Sequence, residues 1–190
     1  MTPEDIRPRF AALRTEGRRH KDAAEALGIS EGAAIAAHVG AADGALAATL
    51  LRGPWLELLK GLEPCGPLLA LTRNTSTVHE KTGVYEKLSG TGGHVAIALG
   101  EAIDLRLFLQ HWHAGFAVTE GQSLSLQFFD AHGVAVHKIF AREATDRAAL
   151  QAVIAAHTDA PKPVVFTPAA PKKAARPDAD IDAEGLRTAW

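Results

Sequence analysis

Ile103-Asp104-Leu105-Arg106-Leu107-Phe108-Leu109-Gln110 alternates at every second position, and with Ser123-Leu124-Ser125-Leu126-Gln127-Phe128 it decides the fold. Successive side chains of an extended chain point to opposite faces. Ile103, Leu105, Leu107 and Leu109 therefore share a core face, while Arg106 and Phe108 stand side by side on the other. Leu124, Leu126 and Phe128 repeat the pattern against Ser123, Ser125 and Gln127. Asp130-Ala131-His132-Gly133 then carries turn chemistry ahead of the apolar run from Val134 to Phe140. So short a turn joins antiparallel neighbours. The spacing predicts a large twisted antiparallel sheet, a meander, over residues 67–141.

On either side of the sheet the period becomes helical. Thr2-Pro3-Glu4-Asp5 supplies a capping hydroxyl, a first-turn proline and acids at the positive end of the helix dipole. Ile6, Phe10 and Leu13 follow at helical spacing. A second helix is expected over Asp22–Leu27 with Gly28 closing it, and a third from Ser30 and Glu31 to Val39, stopped by Gly40. Leu46–Leu51 is short and apolar enough for a strand, and Pro54 opens a helix carrying Trp55, Leu56, Leu58 and Leu59. Asp146–His157 returns to helix. The fold class is thus α+β: helices over residues 1–62, the sheet over 67–141 and a closing helix over 146–157, together one domain of residues 1–157. Residues 158–178 are rich in proline, alanine and lysine and read as an extended, semi-rigid linker. Residues 179–190 open a further helix, with Leu186 and Trp190 four apart on one face. The expectation is the start of a truncated second repeat, or a tail.

Composition narrows the function classes. With 190 residues, 47% of them hydrophobic and 22% charged, the chain has the balance of a globular domain with its own core. A net charge of −2 gives no global pull toward nucleic acid or anionic membrane. One cysteine, Cys65, excludes an internal disulfide and suits a reducing compartment. The opening MTPEDIRPRF lacks the basic start and apolar run of a signal peptide. No apolar run approaches the roughly 20 residues a membrane span needs. The expected location is the cytoplasm, with no membrane insertion.

Several motifs come close to a chemistry and miss it. Residues 22–40 have a helix-turn-helix rhythm. A recognition helix needs arginine, lysine, asparagine or glutamine to reach base edges. Here it offers alanines, Ile35 and His38, so sequence-specific nucleic-acid binding is not expected and a packed helical bundle is. His111 and His113, two apart on an expected strand, lack the HExxH or CxxC partners of a zinc site. There is no GxSxG elbow. Gly90-Thr91-Gly92-Gly93 lacks the GKS or GKT end of a phosphate cradle and reads as a hairpin loop. Arg106 beside Phe108 remains. A cation next to an aromatic on one strand face suits a flat apolar ligand with acidic groups; an incidental surface pairing is the plainer alternative.

Several ordered stretches carry a resemblance. They are Thr72-Arg73-Asn74 with Val78-His79-Glu80, then Asp104 to Leu109 with Trp112. Ser125 to Asp130 follows with Gly133, and then Val136 to Phe140. Together with the helical opening over Asp22–Ser30, they resemble the N-terminal half of the cytoplasmic haem-utilisation proteins, the HemS/ChuS-like hemin-degrading factors. The likeness spans residues 5–157 and continues into the linker and the restart at Leu186 and Trp190. It implies two similar α+β halves in tandem with haem in the cleft between them. Arg106 and Phe108 would line that cleft, and His79 is implied as a candidate axial ligand to the haem iron. The family's main axial histidine lies beyond the position matching Trp190. One wall of a cleft is therefore expected here, completed by a second half or by a second copy in a homodimer.

The resemblance implies haem (hemin) binding and trafficking in haem-iron acquisition, with a haem oxygenase or haem transporter as partner. The alternative is oxidative haem degradation. The sequence shows no nicotinamide or flavin motif, so its electrons would come from an external donor.

Overall fold

A computed structural model describes residues 1–41, 44–74, 76–91, 93–170 and 177–190. The Thr2 side chain accepts from the Asp5 N–H and the Asp5 carboxylate accepts from the Thr2 N–H, a reciprocal capping box that starts α1 (Pro3–Thr15). Ile6 and Phe10 turn its buried stripe inward. α2 (His20–Ala26) ends in a left-handed Gly28, φ +70°, and the Ser30 hydroxyl caps α3 (Glu31–Ala36) by accepting from the Ala33 N–H. The helix-turn-helix rhythm is therefore real, but α3 is not free to enter a groove. Gly32, Ala34 and Ile35 are buried, and the Gly32 N–H donates to the Gly133 carbonyl at 2.9 Å. A Cβ on Gly32 would lie 2.9 Å from the Gly133 Cα. The small residues are what permit this close approach.

Among the described residues nine strands follow: β1 (Leu46–Leu51), β2 (Leu68–Arg73), β3 (Val78–Gly83), β4 (Ser89–Thr91), β5 (Val95–Leu99), β6 (Asp104–Phe108), β7 (Ala114–Glu120), β8 (Ser123–Phe129) and β9 (Ala135–Ala141). The interspersed helices are α4 (Trp55–Lys60), α5 (Arg147–His157) and α6 (Ala183–Ala189). Six strands form one antiparallel sheet in the order β1-β7-β8-β9-β2-β3, and β4-β5-β6 form a second. The expected meander is realised in β7-β8-β9 and again in β4-β5-β6, but not across the whole six-stranded sheet, where β1 joins β7 and β2 joins β9. Alternation reports which face a residue takes and not which strand lies beside it, and β4–β6 peel off to cover the larger sheet.

Both faces of the six-stranded sheet are covered. Phe116, Val118 and Phe129 pack under α1–α3. Leu126, Phe128 and Ile139 pack with α4, α5 and the small sheet. Ser125 and Gln127, the polar positions of β8, are thus buried under the helices. Glu120 at the end of β7 ties the helices down: it accepts from Arg14 Nε at 2.9 Å, from Arg14 Nη2 at 2.6 Å and meets His20 Nε2 at 3.1 Å. Held by His20 and Arg14, its carboxyl stays down at about 2. Lys138 on β9 donates to Glu31 on α3, with both side chains nearly buried.

β6 ends at Phe108 and a 3-10 turn, Leu109–His111, follows. His111 and His113 therefore do not share a strand as expected; the turn breaks the alternation between them. The segment after α5 is fastened to the body. The Asp159 N–H donates to the Leu50 carbonyl and the Thr167 N–H to the Ala131 carbonyl, each at 2.8 Å. Phe166 packs on Phe129 and His113. Within the expected linker of residues 158–178, residues 171–176 lie outside the described residues. Asp182 caps α6 by accepting from the Gly185 N–H, and no residue of that helix is buried. Among the described residues no helix is long and apolar enough to cross a membrane.

Candidate functional site

The β2–β3 hairpin and β6 bound a cleft of about 550 Å³. Its walls bring together Arg106, Phe108 and His79, the residues singled out in the sequence. β6 delivers the first two because Leu107 between them is buried, which turns its neighbours outward. Phe108 keeps 54% of its surface exposed. Arg106 pairs with the Asp104 carboxylate two residues away. On the opposite wall His79 faces Thr72 across the β2–β3 ladder, and both are exposed.

The lining includes Trp112, a nearly buried ring that follows the 3-10 turn. It stacks on Phe128 at 4.3 Å and on His137 at 5.9 Å between ring centroids. Its carbonyl accepts from Trp55 Nε1 at 3.1 Å. A polar chain runs from the exposed Thr72 at the cleft to the buried His137 and Tyr85 beneath it. Thr72 Oγ1 is 3.0 Å from His137 Nδ1, and the Tyr85 hydroxyl is 2.8 Å from His137 Nε2. Burial pushes the His137 imidazole down to about 4, so it is neutral at physiological pH. Burial also raises the Tyr85 hydroxyl well above its ordinary value, leaving it protonated.

The cleft thus combines an open aromatic edge, a guanidinium, imidazoles at His79 and His111, and a rigid aromatic ring at Trp112. That set can take a flat apolar molecule bearing acidic groups: rings cover its face and the cation pairs with its carboxylates. A hollow of about 630 Å³ between α1 and β1 is as large. Its Glu120 is already satisfied by Arg14 and His20, and its aromatic, Phe10, is buried. The sequence reading missed Tyr85 and His137. The signals were slight: the only tyrosine of the chain, and a histidine whose parity on β9 points it to the core.

A family model described as a haemin-degrading HemS/ChuX domain matches residues 28–157, more than two thirds of the chain. The chain belongs to the HemS/ChuX family. Within that family it is 37% identical over 177 residues to the hemin transport protein HmuS of Yersinia pestis, which covers 88% of this chain and 50% of that protein. The solved structure of holo-PhuS, a heme-binding protein from Pseudomonas aeruginosa, superposes with a TM-score of 0.86 at 38% identity, over 100% of this chain and 56% of that one. ChuS, an E. coli heme oxygenase, superposes with a TM-score of 0.77 at 28% identity, over 98% of this chain and 54% of that one. The chain spans about half the length of the curated relatives it matches. The α+β fold with its large antiparallel sheet is the fold of these HemS/ChuX structures.

Proposed function

We propose that the chain binds haem as cargo in cytoplasmic haem-iron acquisition and hands it on, forming one wall of the haem cleft. The observation that carries this reading is the convergence of Arg106, Phe108 and His79 on one cleft lined by Trp112. Haem asks for these groups: propionates pair with a guanidinium, the macrocycle lies on aromatic rings, and iron takes a neutral imidazole nitrogen. The cleft volume falls in the ordinary range of small-molecule sites. Arg106 and Phe108 hold the porphyrin, and His79 offers the nitrogen. The chain spans about half the length of its curated relatives, and the rest of the haem cleft, facing these residues, comes from a second half or from a second copy of this chain. A haem oxygenase or a haem transporter is the partner class for transfer.

Hemin titration tests the reading. The expected result is a Soret band that saturates at a fixed stoichiometry and weakens in Arg106→Ala and Phe108→Ala. A broad, non-saturating shift overturns it. A second reading, oxidative haem degradation, draws support from the family's description and from the likeness to ChuS. It needs oxygen and electrons from an external donor. Adding ascorbate in air to the hemin complex separates the two: loss of the Soret band favours degradation, and a stable band favours carriage.

A further inference from the structure

The chain Tyr85–His137–Thr72 has a direction, and the direction ends in the cleft. Tyr85 is fully buried, and among the described residues its hydroxyl meets only His137 Nε2. Were Nε2 to carry the imidazole proton, the tyrosine would accept it, and its own proton would be buried without an acceptor. An unpaired buried donor bears its full desolvation cost, so the arrangement that avoids it prevails. The tyrosine therefore donates to an unprotonated Nε2. A neutral imidazole has one proton, which must then sit on Nδ1. Nδ1 donates to Thr72 Oγ1, 3.0 Å away. The threonine proton cannot point back at that N–H. Among the described residues no protein group accepts it, and the exposed Thr72 side chain lines the cleft.

We propose that Thr72 is a ligand-positioning residue whose hydroxyl, accepting from His137 Nδ1, donates a hydrogen bond to an oxygen acceptor of the cargo. The inference rests on the haem reading above and deepens it. Two oxygens of the loaded cargo have the required chemistry: a propionate carboxylate and an oxygen held on the iron. The ring under the hydroxyl is clamped by Trp112 on its face and by hydrogen bonds at both nitrogens, so the donor is preorganised. Its neighbour His79 lies directly across the β-ladder, which sets the donor close to any group that imidazole holds.

The first measurement needs no ligand. The ¹⁵N shifts of the His137 ring should show a protonated Nδ1 and a bare Nε2; a protonated Nε2 overturns the proposal, because the threonine proton would then point inward. The second is hemin titration of variants that keep the fold. Thr72→Val puts a methyl in place of the hydroxyl and also strands the His137 Nδ1 donor, so its stability is read separately by urea unfolding; it should weaken hemin binding about tenfold, whereas Thr72→Ser keeps the hydroxyl and should stay within about twofold. Iron-free protoporphyrin and the dimethyl ester of hemin separate the two acceptors. A Thr72→Val penalty that survives loss of iron and vanishes in the ester assigns the carboxylate; the reverse pattern assigns the oxygen on iron. A penalty equal for hemin and both analogues, or absent with hemin, overturns the donor role while the haem reading stands. Failure of the unaltered chain to bind hemin overturns both.

Discussion

Replacing Phe108 by alanine tests the cleft where the structure leaves most to gain. The ring keeps 54% of its surface open although Leu107 beside it is buried. A phenylalanine can bury about 200 Å². A flat ligand covering the open part removes about 100 Å² from water, worth about 2.5 kcal/mol at about 25 cal/mol per Å². Alanine keeps its methyl, and one planar ligand does not wrap the whole ring. The expected loss is therefore about 2 kcal/mol, or about thirtyfold in Kd. Hemin titration followed at the Soret band reads it directly. Urea unfolding of the same variant controls for stability, which should move by less than about 0.5 kcal/mol because the side chain lies at the surface. An affinity within about threefold of the unaltered chain, with stability unchanged, refutes the assignment of Phe108 to the cargo face.

Three further outcomes follow from the same geometry. Arg106→Ala should weaken hemin about fivefold, an exposed charge pair being worth about 1 kcal/mol, and the penalty should shrink as salt rises; a penalty independent of salt argues against a propionate contact. His137 is held at about 4 against 6.5 for a free imidazole, so between those pH values the unfolded chain binds the extra proton. Stability therefore falls as pH drops through that window, by about 3 kcal/mol in total. Urea midpoints against pH should show this slope, and His137→Gln should flatten it; an equal slope in both sinks the assignment. Glu31→Ala strands the nearly buried Lys138 ammonium, with an expected cost of about 3 kcal/mol in urea unfolding. A loss under about 1 kcal/mol would mean that the lysine finds water instead.

The parts of the fold legible in the sequence were those written in neighbouring residues. The Thr2–Asp5 capping box, the left-handed Gly28 and the Asp130–Gly133 turn each follow from a few consecutive side chains. The outward pair Arg106 and Phe108 followed from alternation alone. Strand order did not, because β2 joins β9 and β1 joins β7 across long stretches of chain, and nothing local records those pairings. The pairing of His79 with Arg106 and Phe108 came from resemblance; no spacing rule links a residue on β3 to two on β6. The Thr72–His137–Tyr85 chain was out of reach for a further reason. Its links span 65 and 52 residues, and the meaning of each side chain depends on burial that only the packed sheet creates.

The fastening of the segment after α5 also decides where the chain can be cut. A protease must peel an extended stretch away from the surface before cleaving it. Phe166 lies beside the Thr167 bond to Ala131 and packs on Phe129 and His113, so chymotrypsin must break that strap to reach it. Leu186 sits on α6, which buries nothing. Brief chymotryptic digestion should therefore clip at Leu186 well before Phe166, and mass spectrometry of the first products should show the strap still attached to the body. Early cleavage at Phe166 would mean that those bonds open often. What composition suggested was a spacer behaves, over residues 158–167, as a latch closing one end of the sheet.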